Sequence, residues 1–199
     1  MQHKVKLTVI DKRMFEELSL LYTNNYQCEA CPLYNVGDEF IFERYGERDD
    51  FWHMGLNTLT DSMLVEKEDW EHIAGGPKMP HCSELWDSIS RYIYTGLQGG
   101  SIMRGWMRDE RQMLACCSDA TRPVSFLIER MDYKAVYIEG IGCEGCKKKI
   151  KEALEHIPDV NEVNFKDDFT EVFVERDVDD DVIRQAVESC GDYKIIKIE

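Results

Sequence analysis

The sequence contains no run of about 18 or more apolar residues, so no transmembrane helix and no membrane insertion are expected. Its first residues, "MQHKVKLTVIDKR", hold too short an apolar stretch for a signal peptide and no small-residue cleavage site. The expectation is a cytoplasmic chain. Positive charge is scarce: 24 Lys and Arg stand against 39 Asp and Glu, for a formal charge of −15. That balance excludes nucleic acid as the expected partner, because phosphate would be repelled, and leaves a basic protein surface as the natural complement. Also missing are a nucleotide-binding glycine loop, a Ser/His/Asp pattern, a helix-turn-helix pattern, internal repeats and low-complexity segments. Those absences weigh against an enzyme of a common class and against a DNA-binding metal sensor. Disorder is not expected either, since 43% hydrophobic and 11% aromatic residues are globular values.

What the chain does have is eight cysteines. They are Cys28, Cys31, Cys82, Cys116, Cys117, Cys143, Cys146 and Cys190. A disulfide framework suits a short secreted chain, so without export these are better read as reduced thiols, with clustered ones as metal ligands. Five precede residue 132 and three follow it, which anticipates a boundary there.

From Lys134 onward the periodicities are clean. "KAVYIEG" alternates as a strand, and a helix beginning near Cys146 puts Ile150, Ala153, Leu154 and Ile157 on one face. "VNEVNFK" and "TEVFVER" read as a hairpin across "DDF". "DVDDDVIRQAVESC" starts a helix on acidic residues, with Ile183, Ala186, Val187 and Cys190 at helical spacing, and "YKIIKIE" closes as a strand. The order β-α-β-β-α-β is that of a ferredoxin-like sandwich. The expected organisation is therefore α+β with two domains, 1–132 and 133–199, joined closely at Met131 to Lys134.

The first part is less regular. "VKLTVI" predicts a strand, and "DKRMFEELSLLY" a helix with Met14, Leu18 and Leu21 aligned. A loop and a Gly37 turn precede a second strand. "DSMLVEKEDWEHI" has the pattern of an amphipathic helix, and "CSELWDSISRYIYTGL" is a helix with a Leu85, Trp86, Ile89, Ile93 stripe. "QMLACCS" and "VSFLIERM" predict two strands across "DATRP", completing a small sheet with helices.

The chemistry concentrates in "GIGCEGCKKKI", residues 140–150. A C-x-x-C pair serves as a redox couple, half a zinc site or a two-thiolate clamp for a soft ion. Thiols at i and i+3 bracketing a helix start converge on one ion, and the helix N-terminus favours the thiolate. Two soft thiolates without hard oxygen ligands suit Cu(I) better than Mg(II) or Ca(II). Gly140, Gly142 and Gly145 keep the loop open, so that an ion can leave as well as enter. The structural alternatives are a disulfide or a vestigial loop.

With its G-x-x-C-x-x-C loop after the first strand and its element order, this region, roughly 134–199, resembles the heavy-metal-associated domain family. That family includes CopZ-like copper chaperones and modules of metal-transporting P-type ATPases. The resemblance implies Cys143 and Cys146 as metal ligands, a P-type ATPase or another metal-accepting protein as partner, and docking through basic residues such as Lys147 to Lys149. Ile141 stands where the family often has Met. In the family the loop before the last strand lies beside the metal loop. Cys190 is therefore either a third thiolate, favouring three-coordinate Cu(I), a copper dimer or Zn(II), or a small buried apolar residue.

The earlier cysteines lie in "YQCEACPLYNVGDEF", "MPHCSELW" and "LACCSDATRPV". Cys31, Cys82 and Cys117 or Cys116, with Cys28 less clearly, form a candidate second site for zinc or an iron–sulfur cluster. Buried reduced cysteines and thiol redox chemistry are the alternatives. Cys116 and Cys117, adjacent on a strand, are expected to face opposite sides. His53, His72 and above all His81 are further possible ligands. Asp119 and Arg122 are expected in a polar turn before Pro123, and "SIMRGWM" reads as packing. These segments resemble an uncharacterised family of small prokaryotic cysteine-containing domains, with Cys31, Cys82, Cys116, Cys117, Asp119, Arg122 and Pro123 matching and Ala120 replacing a Gly. That resemblance brings a boundary near residue 132 and no activity.

The reading that follows is a soluble metal-binding protein, a Cu(I) chaperone or buffer, with Zn(II) or another soft ion as the other cargo. The competing reading is a metal- or thiol-dependent redox enzyme supplied with metal by its C-terminal module.

Overall fold

The computed structural model describes residues 1–43 and 82–199. The helix expected over "DSMLVEKEDWEHI" and the possible ligands His53, His72 and His81 lie outside the described residues. The chain divides into two compact units, one of Lys4–Arg130 and one of Met1–His3 with Met131–Glu199.

In the first unit β1 (Gln2–Lys12) pairs antiparallel with β2 (Glu39–Phe42), Val5 opposite Phe42 and Thr8 opposite Glu39. β3 (Gln112–Cys116) forms a hairpin with the start of β4 (Val124–Glu139), Met113 opposite Ile128. β1 also neighbours β4. The hairpin turn is built by Asp119, whose Oδ1 accepts the backbone N–H of Thr121 and of Arg122, both at 2.9 Å, and the Thr121 hydroxyl at 2.8 Å.

Two helices accompany these strands. α1 (Glu16–Tyr22) is one short piece, and α2 (Ser83–Leu97) is the long one. α2 buries Leu85, Trp86, Ile89 and Ile93 as a single stripe against Val5, Leu7, Phe42, Phe126 and Ile128. It approaches β1 so closely that a Cβ on Gly96 would stand 2.6 Å from Val5 Cγ2. The helix expected from residue 11 is shortened. Asp11 and Lys12 continue β1, and Arg13 and Phe15 donate their N–H groups to the Pro123 and Thr121 carbonyls at 2.9 and 2.8 Å. Backbone pairing thus takes the residues a first helical turn would need. Its expected stripe is also not buried: Leu21 is 70% exposed, and Ser19 is the one buried residue of α1. In the "SIMRGWM" loop Met103 packs on the core but Trp106 is exposed.

In the second unit the end of β4, then α3 (Glu144–Glu155), β5 (Val160–Phe165), β6 (Thr170–Val174), α4 (Asp180–Glu188) and β7 (Lys194–Ile198) follow in turn. The strands are antiparallel in the order β5-β6-β4-β7. This is the ferredoxin-like arrangement, with the first and third strands central. Ile150, Leu154 and Ile157 after and along α3 pack with Ile183 and Val187 of α4 on Val136, Val163, Val172 and Ile195. Asp179 caps α4 by accepting the Asp181 N–H at 2.8 Å, leaving Asp180 and Asp181 in the first turn. Met131 to Lys134, read from sequence as a junction, lie inside β4, and the division into units falls between Arg130 and Met131. Lys134 is buried there, with its ammonium on the Val178 carbonyl, Asp177 and Asp180 at 2.5, 3.1 and 2.6 Å.

Candidate metal centre

The loop between β4 and α3 leaves the strand at Gly140, whose φ of +94° is a conformation that favours glycine. A Cβ there would also lie 2.9 Å from the Asp192 carbonyl oxygen. Gly142 and Gly145 are under no such constraint: nothing stands within 4 Å of a Cβ on the former, and only Cys143 Sγ, at 3.7 Å, near one on the latter. One glycine therefore shapes the loop, and the other two leave space around it.

Cys143 is extended, at φ −153° and ψ 159°, and is the N-cap of α3. The helix begins at Glu144, two residues before its expected start at Cys146. The Cys143 carbonyl accepts the N–H groups of Cys146 and Lys147 at 3.0 and 3.2 Å, and its Sγ accepts the Cys146 N–H at 3.2 Å. A cysteine sulfur takes the place that a Ser or Asp oxygen usually fills, where the helix carries its partial positive charge. Cys146, one helical turn along, turns its thiol back toward Cys143. Its pKa is lowered to about 7 by hydrogen bonds from the Cys143 thiol and then the Tyr193 hydroxyl, helped by the backbone at Gly142 and Cys143. The same bond pushes the Tyr193 hydroxyl up to about 12. Cys143 is exposed and Cys146 partly so, which leaves the pair open to an incoming ligand.

The loop before β7 supplies this wall of the site. It brings Tyr193 onto Cys146 and Asp192 against Gly140, whereas the Cys190 thiol is directed elsewhere. Cys190 follows the end of α4, and its Sγ donates to the Ala186 carbonyl at 3.2 Å and points at the Lys149 carbonyl at 3.7 Å. Among the described residues no three His, Cys, Asp or Glu side chains gather as a metal-holding group, and the Cys190 thiol is turned to those carbonyls in this structure. Tyr193 was not among the candidate residues read from the sequence. Its signal was there, three residues past Cys190 in the loop already expected beside the metal loop.

The basic run on α3 is a solvated helix face laced with its own acids. Lys147 pairs with Glu144 at 2.9 Å and Lys148 with Glu152 at 3.9 Å, while Lys149 is exposed. Pairs of this kind contribute little in water and remain available for exchange with a partner's carboxylates.

The site is a pair of open thiols at a helix N-terminus in a ferredoxin-like unit. Residues 135–192 match the heavy-metal-associated domain. No curated protein and no solved structure matches the chain. A heavy-metal-associated domain supports binding of a soft metal ion and dealings with metal-accepting partners, and the chemistry at Cys143 and Cys146 agrees with both. No helix among the described residues is long and apolar enough to cross a membrane.

Outside the heavy-metal-associated domain, the first unit places its cysteines unevenly. Cys28 is exposed and acts on Tyr26, whose hydroxyl is hydrogen-bonded to Glu16 and pushed up to about 12 mainly by that bond. Cys31, Cys82 and Cys117 are half-buried on the core of that unit. Cys116 is exposed at the end of β3, and Cys117 has already left the strand. The Cys117 sulfur accepts the Val124 N–H at 3.3 Å. With no group of three ligating side chains among the described residues, a ready-made zinc or cluster cage is not present there.

Proposed function

We propose that the protein is a cytoplasmic Cu(I)-binding chaperone or buffer that carries its ion on Cys143 and Cys146. The observation supporting this is the Cys143–Cys146 pair itself. Two sulfurs share a hydrogen bond at the mouth of a helix N-terminus, and Cys146 has its pKa brought to about 7. Near neutral pH about half of the Cys146 population is thiolate, so little proton has to be displaced when a soft ion arrives. Two sulfurs and no hard oxygen ligand favour Cu(I) over Mg(II) or Ca(II).

Transfer proceeds by ligand exchange. A thiolate of a metal-accepting partner, such as a metal-transporting P-type ATPase, enters the coordination shell, and one of Cys143 or Cys146 then leaves and regains a proton. The copper stays Cu(I) throughout. Exposure of Cys143 allows the entering sulfur to approach.

The test is anaerobic Cu(I) titration against a competing chelator, for the full chain and its Cys143→Ser/Cys146→Ser variant. The expected result is loss of one tight equivalent in the variant. Equal binding by both chains would mean that residues 140–150 do not carry the ion.

A further inference from the structure

Away from the clamp, the first unit assembles a second group of thiols from three separate segments. Cys82 is the N-cap of the long helix α2, extended at φ −140° and ψ 116° and without a side-chain cap hydrogen bond. The β3–β4 turn is fastened onto that same helix start. The N–H and hydroxyl of Ser118 approach the Glu84 carbonyl at 3.4 and 3.2 Å. Cys117, the residue before Ser118, donates its N–H to the Val124 carbonyl at 3.1 Å, and its Sγ accepts the Val124 N–H at 3.3 Å. Cys31 packs on the same core from the loop ahead of β2.

Cys31, Cys82 and Cys117 all pack, partly buried, on the core that holds Tyr34. Tyr34 is 1% exposed and held edge-on by Phe126, at 5.6 Å between centroids, and Phe40, at 6.2 Å. Its hydroxyl is raised first by burial and then by the charges that Cys82, Cys31 and Cys117 would carry as thiolates. Bringing thiols together from a loop, a helix cap and a hairpin turn costs ordering in each segment, and the Ser118–Glu84 contact is a specific fastening of two of them.

We propose that Cys82 and Cys117, with Cys31 beside them, form a second site for a soft monovalent ion of the Cu(I) class. Two sulfurs suffice for such an ion, in keeping with the lack of any three-ligand group among the described residues. The apolar wall of Tyr34, Phe40 and Phe126 disfavours a hydrated divalent ion and suits a thiolate-bound one of low net charge. Cys116, next to Cys117 in the chain and exposed, is the route by which a thiol outside the site can take the ion over.

The site is tested independently of the clamp, in the full chain carrying Cys143→Ser/Cys146→Ser. Anaerobic titration with Cu(I) alone against a chelator is expected to show one equivalent retained. Adding Cys82→Ser or Cys117→Ser should weaken that equivalent by at least tenfold, and adding Cys28→Ser should leave it unchanged. Serine remains a good N-cap, so Cys82→Ser is expected to keep α2, checked by circular dichroism. In the unsubstituted chain, Cu(I) should protect Cys82 and Cys117 from alkylation, read by peptide mass spectrometry. No retained equivalent, or one that survives loss of both Cys82 and Cys117, overturns the proposal. Failure of the clamp shows differently, as a parent chain that binds no more than the Cys143→Ser/Cys146→Ser variant.

Discussion

The Asp192 carbonyl oxygen lies 2.9 Å from the position that a side-chain carbon at Gly140 would occupy. The loop before β7 is thereby pressed onto the loop that carries the two ligating cysteines. Gly140 also has a positive φ, so Gly140→Ala meets backbone strain and a backbone contact together. The cost is about 1–3 kcal/mol. Cu(I) affinity should fall by about tenfold or more as the cysteine loop shifts, since about 1.4 kcal/mol is a factor of ten. Gly142→Ala meets open space and should leave affinity unchanged. Equal affinities for the two variants in a chelator competition would show that the loop is not shaped at Gly140.

Tyr193 hydrogen-bonds the Cys146 thiol and lowers its pKa. In the metal-free chain, Cys146 should reach half its maximal alkylation rate near pH 7. Tyr193→Phe removes one donor to the thiolate, so the midpoint should move upward and the rate at pH 7 should fall. Site-resolved mass spectrometry of iodoacetamide-treated protein reads both. An unmoved midpoint would assign the low pKa to Cys143 and the helix terminus alone.

For Cys190, replacement by Ala removes the bonds to the Ala186 and Lys149 carbonyls but no sulfur of the clamp. Cu(I) affinity at the clamp should stay within about threefold, and stability should drop by about 1 kcal/mol. A loss of affinity of tenfold or more would make Cys190 a third ligand.

Lys134 tests the polar anchor beneath α4. Burial lowers its pKa, but Asp180 and Asp177 outweigh that, and the net shift is upward. Its two carboxylate partners are 52% and 70% exposed, so Lys134→Met leaves them solvated instead of stranding buried charge. The expected cost is about 1–2 kcal/mol, below the 3–5 of a fully buried broken pair. Because the folded pKa is the raised one, this stabilisation is fully present below the unfolded value of about 10.4 and fades as pH rises through the folded value. Urea unfolding at pH 7 and above pH 11 should show the difference between the two chains shrinking.

Leu154 is fully buried between α3 and the sheet. Leu154→Ala should cost about 2–5 kcal/mol through lost burial and a residual cavity. The readout is the denaturant midpoint.

The ferredoxin-like unit and its ligating pair were open to reading along the chain, because both depend on local order. Alternation in "KAVYIEG", the Ile150–Leu154–Ile157 stripe, the acid-capped start of α4 and the i, i+3 thiols each lie within one turn or one strand. α2 was legible for the same reason, through Leu85, Trp86, Ile89 and Ile93. Tertiary structure decided what depends on partners distant in sequence. Residues 11–15 look helical in isolation, but Asp11 and Lys12 continue β1 and the backbone of Arg13 and Phe15 finds carbonyl partners at Pro123 and Thr121. Met131 to Lys134 mark the change of unit, and only strand pairing makes them part of β4, as Asp132 opposite Val174 and Lys134 opposite Val172 show. Cys190 and Tyr193 are equally near Cys146 in sequence terms, and only the packing of the β7 loop turns the tyrosine inward and the thiol toward Ala186. The sequence alone determined that two soft ligands sit at a helix start. The fold decided which neighbour sets their protonation, because a pKa answers to whatever stands within a few ångströms, however far away along the chain.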